Sequence, residues 1–447
     1  MHGMPACPVT VTATFIPSFS DNGDGTYTIH TTAGWGQFCD MLAGGETFSG
    51  KTVNLDGSFT ISRMAGDTNH KFAGTFNGCG NTLSLAFGTS GEPLQGTEDD
   101  NFAPFCYTES ATIRNLNVGG TIYTATKHCG GIIGLAYGTT SLNDCHSSVN
   151  IISSINGDGT HGGLIACTWT NSTTNITGCV FDGSIQSASG YTTDQCGGFV
   201  GWRNGTIKLE NCLLAADLST IADPANTQYP SATFVRNGAN DAQYYTNSYY
   251  TATLGTVQGM AMGDLILPQG VTVFAESGDS YTKGEKTWYY PGKTVTINAP
   301  EGYGLGSVSY TPEGGAPVPV THDENGRYSF VMPAGKVTVT AAFEPFFGTP
   351  AFILPGDIRL IGESAFEGLT SMTAVEIPSG CESIGKWAFK DCTGLTKIRI
   401  PASVTSIDDT AFDGCADVLV FGAAGSAAET FCGTNASCTF IMETTST

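Results

Sequence analysis

The C-terminal quarter of the chain repeats at a fixed step of 23 residues. Proline, isoleucine and phenylalanine recur at this step, in the series Pro355, Pro378 and Pro401, then Ile361, Ile384 and Ile407, then Phe366, Phe389 and Phe412. Repeats of about 20–29 residues fold as short coils that stack, because a single coil cannot bury its own apolar side. The step therefore predicts a short solenoid, a fold that offers surface rather than a reaction centre.

A second repeat, of 33 or 34 residues, occupies the first half of the chain. Its copies share a Cys-Gly-Gly or His-Gly-Gly start followed by apolar residues, at Cys129–Gly134, His161–Ala166 and Cys196–Gly201. A turn and a second match follow each start, and the matches end in Cys145, Cys179 and Cys212. Each copy contains three short runs of alternating apolar residues, the pattern of strands that bury one face. Three strands in every coil predict a parallel β-helix.

A segment rich in glycine and aromatic residues precedes these copies. It reads Phe-Ala-Gly-Thr-Phe-Asn-Gly-Cys-Gly-Asn-Thr-Leu at residues 72–83. This sequence resembles the start of the GLUG-type β-helices of bacterial surface proteins. The resemblance covers about residues 10–260 and implies an extracellular module.

The middle segment, Val271–Phe343, shows strict alternation joined by Gly and Pro turns, which predicts a small antiparallel β domain. Its ending, Phe330–Phe343, resembles the divergent internalin-B-type repeats of bacterial surface proteins, which implies a spacer. The 23-residue copies, across Phe352–Val420, resemble the BspA-type leucine-rich repeats of bacterial and protist surface proteins. Gly425–Thr430 resembles the closing cap of that family.

These observations predict a mainly β fold, in which a parallel β-helix is followed by a small antiparallel β domain and a short leucine-rich-repeat solenoid. The predicted boundaries are residues 1–262 for the β-helix with its lead-in, 263–345 for the internalin-B-type domain and 346–447 for the leucine-rich repeats with their cap. Phe346–Pro350, next to Pro345, is predicted to be a stiff linker.

Charge and hydropathy exclude several partners. The 447 residues carry a formal net charge of −22, which repels nucleic acid phosphates and anionic lipid. No stretch approaches the roughly 18 apolar residues of a membrane span, and Met1–Val11 lacks the order of a signal peptide. We therefore expect a monomer with no nucleic acid partner and no membrane insertion. The family resemblances imply an extracellular or cell-surface location.

The 15 cysteines follow the repeats and form no Cys-x-x-Cys pair. Cys145, Cys179 and Cys212 should form a column of buried thiols, and disulfides between neighbours are the alternative. A second column should hold Cys129, His161 and Cys196. Its outer members would lie about 10 Å apart, too far for one zinc ion with ligands at 2.0–2.3 Å, so no metal is predicted.

Polysaccharide-degrading β-helices need carboxylates that converge from adjacent coils. No column of the predicted coils carries two such acids, so we predict no catalytic residue and no cofactor. Acids in the corner loops could still line one edge as a calcium or glycan site, at Asp99, Asp100, Asp158 and Asp194.

Clustered aromatic residues are the other candidates for a binding role, at Tyr244, Tyr245, Tyr249, Tyr250, Trp288 and Tyr289. Such side chains anchor protein or sugar partners. They could equally shield the last coil of the β-helix, whose open end must be covered.

Together these features predict an extracellular bacterial surface protein that binds host or environmental protein or glycan without catalysis. Two alternatives are a polysaccharide-degrading lyase or hydrolase built on the β-helix, and a structural stalk.

Overall fold

A computed structural model describes residues 15–97, 100–222, 228–237, 244–300, 303–323, 326–345 and 352–443. The fold is mainly β, with many parallel strands in stacked sheets, as the repeats predict. The chain divides into two compact units, Met1–Met262 and Gly263–Thr447. The predicted linker at residues 346–350 lies outside the described residues.

The first unit is a parallel β-helix built around three long sheets. In its described residues, one sheet has nine strands: Phe19–Asp21, Thr26–Ile29, Thr52–Leu55, Thr75–Asn77, Thr112–Arg114, Thr139–Asn143, Thr173–Thr177, Thr206–Glu210 and Tyr245–Thr246. A second sheet has four strands: Phe105–Glu109, Ile133–Tyr137, Ile165–Thr168 and Val200–Trp202. A third has ten: Phe59–Ile61, Thr82–Phe87, Asn117–Thr124, His146–Ser147, Asn150–Ser153, Val180–Phe181, Ser184–Ser187, Leu213–Leu214, Tyr249–Tyr250 and Met260–Ala261. A short sheet pairs Gly157–Asp158 with Thr193–Asp194.

Residues at equivalent positions of successive coils stack in columns, and these columns form the core. The longest buried column follows the nine-stranded sheet, in register, through Tyr27, Val53, Phe76, Ile113, Leu142, Ile176, Leu209 and Tyr245. Each full burial of such a side chain is worth roughly 1.5–3 kcal/mol relative to exposure. The stack, rather than any single coil, therefore carries the stability of this unit.

The coils turn at a corner where the backbone enters the left-handed region. The residues at this corner have φ between 45° and 64°, at Asn115, Asp144, Gly178, Asn211 and Asn247. Asn, Asp and Gly are the residue types that tolerate this conformation. The residue after the corner points inward, which places Cys145, Cys179 and Cys212 in the core.

One helix, Thr32–Ala43, covers the first coils. Its N-cap residue Thr31 accepts a hydrogen bond from Gly34 N. Trp35 and Phe38 are fully buried and pack against Phe76 and Phe105, with ring centroids 5.0–6.4 Å apart. This aromatic cluster closes the N-terminal end of the core.

The second unit begins with a small β domain. Its described strands form sheets of four, three and two: Asp264–Ile266, Tyr303–Pro312, Val318–Val320 and Lys336–Pro345; Thr272–Ala275, Thr294–Asn298 and Tyr328–Val331; Ser280–Lys283 and Lys286–Tyr289. The pairing is antiparallel as expected, except that Asp264–Ile266 runs parallel to Lys336–Pro345.

The 23-residue copies stack as predicted. In the described part, one parallel sheet contains Phe352–Ile353, Ala374–Glu376, Lys397–Arg399, Val418–Ala423 and Cys438–Glu443, and another contains Leu360–Ile361, Ser383–Ile384 and Ser406–Ile407. Helix Ala427–Thr434, with Ser426 as its N-cap, packs on the last strands, at the predicted cap. Among the described residues, no helix is long and apolar enough to cross a membrane.

Candidate functional site

The four-stranded sheet of the β-helix contributes side chains to two separate apolar clusters. Its inner column, Phe105, Ile133, Ile165 and Val200, is fully buried in the main core. Two residues further along each strand, the register brings together Tyr107, Leu135, Cys167 and Trp202. These side chains belong to a small apolar cluster separate from the main core. Tyr107, Leu135 and Cys167 are only 5–8% exposed, so the sheet also contributes to a second buried apolar cluster beside the main core.

Four aromatic side chains extend this cluster toward solvent. We call them the aromatic strip, which consists of Tyr137, Trp169, Trp202 and Tyr229. Trp169 is 49% exposed and Tyr229 is 37% exposed. The strip forms two ring pairs on neighbouring coils.

The first pair is Tyr137 with Trp169. Their rings stack with centroids 4.9 Å apart and planes 28° apart. Lys71 Nζ lies 4.8 Å from the Tyr137 ring centroid and 3.9 Å from a carboxylate oxygen of Glu109. The pair thus presents a broad aromatic platform whose neighbouring charges are already matched.

The second pair is Trp202 with Tyr229, which meet edge to face at 4.9 Å. Trp202 Nε1 donates to Asn204 Oδ1 at 3.0 Å, which fixes the indole from one side. The guanidinium of Arg236 lies 4.8 Å from the Trp202 ring centroid and holds it from the other side. Arg236 Nε also donates to the Tyr229 carbonyl at 3.1 Å. Both members of the pair are therefore oriented by the same arginine.

Arg236 is buried to 1% exposure and joins three coils. Its Nη1 lies 2.7 Å from Asp158 Oδ1 and 2.9 Å from Thr160 Oγ1, and its Nη2 donates to Gln195 Oε1 at 2.7 Å. A buried guanidinium is tolerated because its donors are paired with a carboxylate and neutral acceptors. This network is the most fully built polar cluster of the β-helix, and sequence reasoning missed it.

The register corrects the prediction that no column carries two acids on adjacent coils. Asp158 and Asp194 are direct partners in the short sheet. The error arose from one extra residue: Gly159 and Thr160 separate Asp158 from His161, whereas only Gln195 separates Asp194 from Cys196. Thr160, with a φ of 48°, is the equivalent of Gln195, with a φ of 55°, so Gly159 is the extra residue.

The carboxylate of Asp158 is nevertheless matched by cations. Arg236 contacts it at 2.7 Å and Lys127 at 3.5 Å. Burial acts to raise the pKa of Asp158, but the Thr160 hydrogen bond and the Arg236 charge outweigh it and lower this pKa. Asp194 Oδ1 accepts from Gln195 Nε2 at 2.9 Å. A carboxylate with a lowered pKa is a poor proton donor, so Asp158 is unsuited to act as a general acid.

Of the two remaining acids of the predicted calcium or glycan edge, the structure describes only Asp100. Asp99 lies outside the described residues. Asp100 Oδ2 accepts hydrogen bonds from Thr97 N and Oγ1, at 2.7 and 3.1 Å. Within the described parts of the chain, no group of three His, Cys, Asp or Glu side chains is arranged to hold a metal ion.

The six predicted aromatic residues lie mostly in packed positions. Tyr245 is buried in the β-helix core, where burial raises its pKa to about 12, and Tyr289 is buried in the small domain. Tyr244 and Tyr250 are half-buried and pack against the β-helix core. Tyr249 and Trp288 are also half-buried, and Lys286 Nζ lies 5.0 Å from the Trp288 ring centroid. Tyr245 and Tyr289 leave almost no surface for a partner.

The two predicted cysteine columns are present, and every cysteine that the structure describes is a free thiol. Cys145, Cys179 and Cys212 each donate to two backbone carbonyls at 3.3–3.6 Å. In the second column, His161 Nε2 lies 2.9 Å from Ser153 Oγ. Burial, with a smaller contribution from His128, lowers the pKa of His161 to about 3. The column is a neutral part of the core.

A signal for the aromatic strip was present in the sequence. Tyr137 and Trp169 both stand eight residues after the start of their copies, and Trp202 stands six residues after the start of the next. Outward aromatic residues at recurring positions of a coil predict a continuous patch. The sequence reasoning followed the cysteines and adjacent tyrosines instead, and so passed over these positions.

Comparison with known families matches residues 340–421 to the BspA-type leucine-rich repeat region, in six copies. The match coincides with the 23-residue coils and covers only this part of the chain. BspA-type repeats are typically associated with bacterial surface proteins and adhesion. No curated protein and no solved structure matches the chain.

Proposed function

We propose that this chain is an extracellular or cell-surface bacterial protein that binds a host or environmental macromolecule without catalysing a reaction. The observation that carries this proposal is the aromatic strip, above all Trp169, which is 49% exposed while it stacks on Tyr137. Tryptophan, tyrosine and arginine dominate binding energy at protein interfaces. Contiguous apolar patches on a protein surface mark interaction sites.

The BspA-type repeats support a surface location, since this repeat is typical of surface proteins. The resemblances of the first 260 residues to GLUG-type β-helices and of the middle domain to internalin-B-type repeats support it further. These two resemblances stay predictions. The first implies an extracellular module, and the second implies a spacer role for the middle domain.

The acids of the β-helix support the non-catalytic reading over the polysaccharide-degrading alternative. Asp158 and Asp194 stand side by side, but Arg236, Lys127 and Gln195 engage them. A retaining or inverting glycosidase needs one carboxyl group that stays protonated near neutral pH. The lowered pKa of Asp158 is opposite to that requirement.

Binding of the intact chain to an array of extracellular matrix proteins, mucins, plasma proteins and polysaccharides tests the proposal. Trp169→Ala should weaken every specific signal, whereas Tyr191→Ala, which removes a 44% exposed aromatic residue outside the strip, should not. Binding that is indifferent to Trp169→Ala would move the site elsewhere. Release of reducing sugar from any polysaccharide would favour the enzymatic alternative, and silence across the array would favour the structural stalk.

A further inference from the structure

A surface pocket continues the aromatic strip at its C-terminal end. The pocket has a volume of about 260 Å³, and Tyr229 forms one of its walls. Because Tyr229 also contacts Trp202, the strip and the pocket form one continuous surface. A pocket of this volume is below the roughly 300–1,000 Å³ of drug-sized ligand sites. It therefore has room for one ring-sized unit rather than for a folded partner.

The lining of this pocket carries no acidic or basic side chain among the described residues. Its polar groups are the amides and hydroxyl of Gln228, Asn237, Thr256 and Gln258. Asn237 Nδ2 donates to the Arg203 carbonyl at 3.0 Å, and Gln258 bonds to the backbone of Phe234 and Val235. Gln228 and Thr256 are exposed at the rim. A charged ligand would find no opposite charge here, so the lining fits a neutral, hydroxyl-rich one.

Two of the cations near the aromatic strip have carboxylate partners, whereas Arg203, which follows Trp202, donates through Nε to the Asn237 carbonyl at 2.8 Å. Arg236 is held by Asp158, and Lys71 lies 3.9 Å from Glu109. The net charge of −22 further disfavours acidic polymers at low and moderate salt. Aromatic rings that are exposed, flat and flanked by amides attract the weakly positive C–H face of a sugar ring toward the negative ring face.

The spacing of the rings suits a chain-like ligand. Cys167 is the register partner of Trp202, and Trp169 follows Cys167 by two residues. The Trp169 and Trp202 backbones are thus one coil and two residues apart, roughly 8 Å from strand geometry. Tyr137, Trp169 and Trp202 therefore lie on successive coils and offer more than one contact to a chain-like ligand.

We propose that the pocket beside Tyr229 and the aromatic strip together bind a neutral polysaccharide. One sugar ring enters the pocket against Tyr229, and further units lie across Trp202 and the Tyr137–Trp169 pair. Arg236 acts as a positioning residue, because it orients Trp202 and Tyr229 without facing the ligand. This inference rests on the proposed function and specifies the ligand of the same surface.

Affinity gel electrophoresis of the intact chain tests the proposal. The gels contain neutral polymers (xyloglucan, glucomannan, hydroxyethyl cellulose, mixed-linkage glucan, dextran) or acidic ones (polygalacturonate, hyaluronan). We expect at least one neutral polymer to retard the protein, with affinity unchanged in about 1 M salt, where exposed charges are screened. Trp169→Ala and Tyr229→Ala should each weaken binding roughly tenfold, the range of an aromatic hot spot. Tyr191→Ala serves as the matched control and should bind like the parent.

The outcomes distinguish a failure of the proposed binding function from a failure of the proposed ligand class. Retardation by acidic polymers alone, lost in salt, overturns the neutral ligand. If Trp169→Ala and Tyr229→Ala both bind neutral polysaccharides as tightly as the parent, the ligand binds on another surface and the inference is also overturned. If no polysaccharide binds but a protein partner does, and that binding depends on Trp169, the proposed function is supported and the polysaccharide ligand is overturned. Circular dichroism of each variant separates loss of binding from loss of fold.

Discussion

Arg236 Nη1 lies 2.7 Å from Asp158 Oδ1, which joins two side chains separated by 78 residues in the sequence. The arginine is 2% exposed at its side chain and the aspartate is 30% exposed. The pair closes a network that includes Thr160, on the same coil as Asp158, and Gln195, on the intervening coil. The guanidinium of Arg236 also lies against the Trp202 ring. Arg236 therefore belongs both to this hydrogen-bond network and to the candidate binding surface.

Removing one partner of this pair should destabilise the β-helix strongly. We expect Arg236→Met to lower the free energy of unfolding by roughly 3–5 kcal/mol, because it removes the nearer cation of a partly buried carboxylate and leaves Gln195 Oε1 without its donor. Arg236→Lys should rescue only part of this loss, since a single ammonium cannot reach Asp158, Gln195 and the Tyr229 carbonyl together. Urea unfolding followed by circular dichroism measures both.

The exposed pair of Arg63 with Asp40, at 2.6 Å, is the matched control. Its side chains are 49% and 67% exposed, so Arg63→Met should cost no more than about 1 kcal/mol. If Arg236→Met and Arg63→Met had equal effects, the Arg236 network would contribute no more than a surface ion pair.

The repeats made much of this fold predictable. Cys145, Cys179 and Cys212 recur at nearly constant steps, and residues at a constant step in a solenoid must stack. Arg236 was not predictable in this way, because its coil lacks the Cys-Gly-Gly start. Its partner Asp158 also sits in a corner loop whose length varies by one residue between copies.

The parallel pairing of Asp264–Ile266 with Lys336–Pro345 escaped prediction for another reason. Alternation reveals that a run is a strand and which face it buries, but not the direction of its neighbour. Trp202 escaped because the residue type at its position is not kept: its column continues through Cys167 and Leu135. Such a column is visible only once the register is known.

Native thiol labelling should divide the cysteines by burial. Cys79 is exposed and should be alkylated first. Cys179 and Cys212 should resist, because burial raises the pKa of Cys212 to about 11, and a hydrogen bond with Cys145 together with burial raises the pKa of Cys179. The thiolate is the form of cysteine that reacts with the reagent. Burial therefore protects Cys179 and Cys212 in two ways, because it blocks access of the reagent and disfavours ionisation of the thiol. Peptide mass spectrometry with and without urea gives the order; early labelling of Cys179 would mean that the coils open locally.

His161 should make the β-helix sensitive to mild acid. Its pKa is lowered from 6.5 to about 3 in the fold, so between these values the unfolded chain binds a proton that the folded chain does not. Stability is therefore lost as the pH falls below 6.5, by roughly 1.4 kcal/mol per pH unit until about pH 3. Paired urea unfolding curves at neutral and acidic pH measure this slope.

The chain supplies its own control for this prediction, because Cys129 and Cys196 occupy the equivalent slot on the adjacent coils. His161→Cys should flatten the pH dependence even if it costs some stability at neutral pH through lost volume. His322→Gln removes an exposed histidine and should leave the slope unchanged. A slope that persists in His161→Cys would assign the acid sensitivity to other groups, such as Asp158.

The leucine-rich coils should depend on a stack of three phenylalanines. Phe389 lies between Phe366 and Phe412, with ring centroids 5.2 and 5.1 Å away and planes within 16° of parallel. Phe389→Ala should cost roughly 3–5 kcal/mol, because the stacked rings on both sides cannot close the cavity without breaking the 23-residue register. Hydrogen exchange should rise in Ala374–Glu376 and Lys397–Arg399, whereas Phe352→Ala, at a 42% exposed edge ring, should change it little. Equal exchange in the two variants would show that the coils are held by their sheets rather than by the stack.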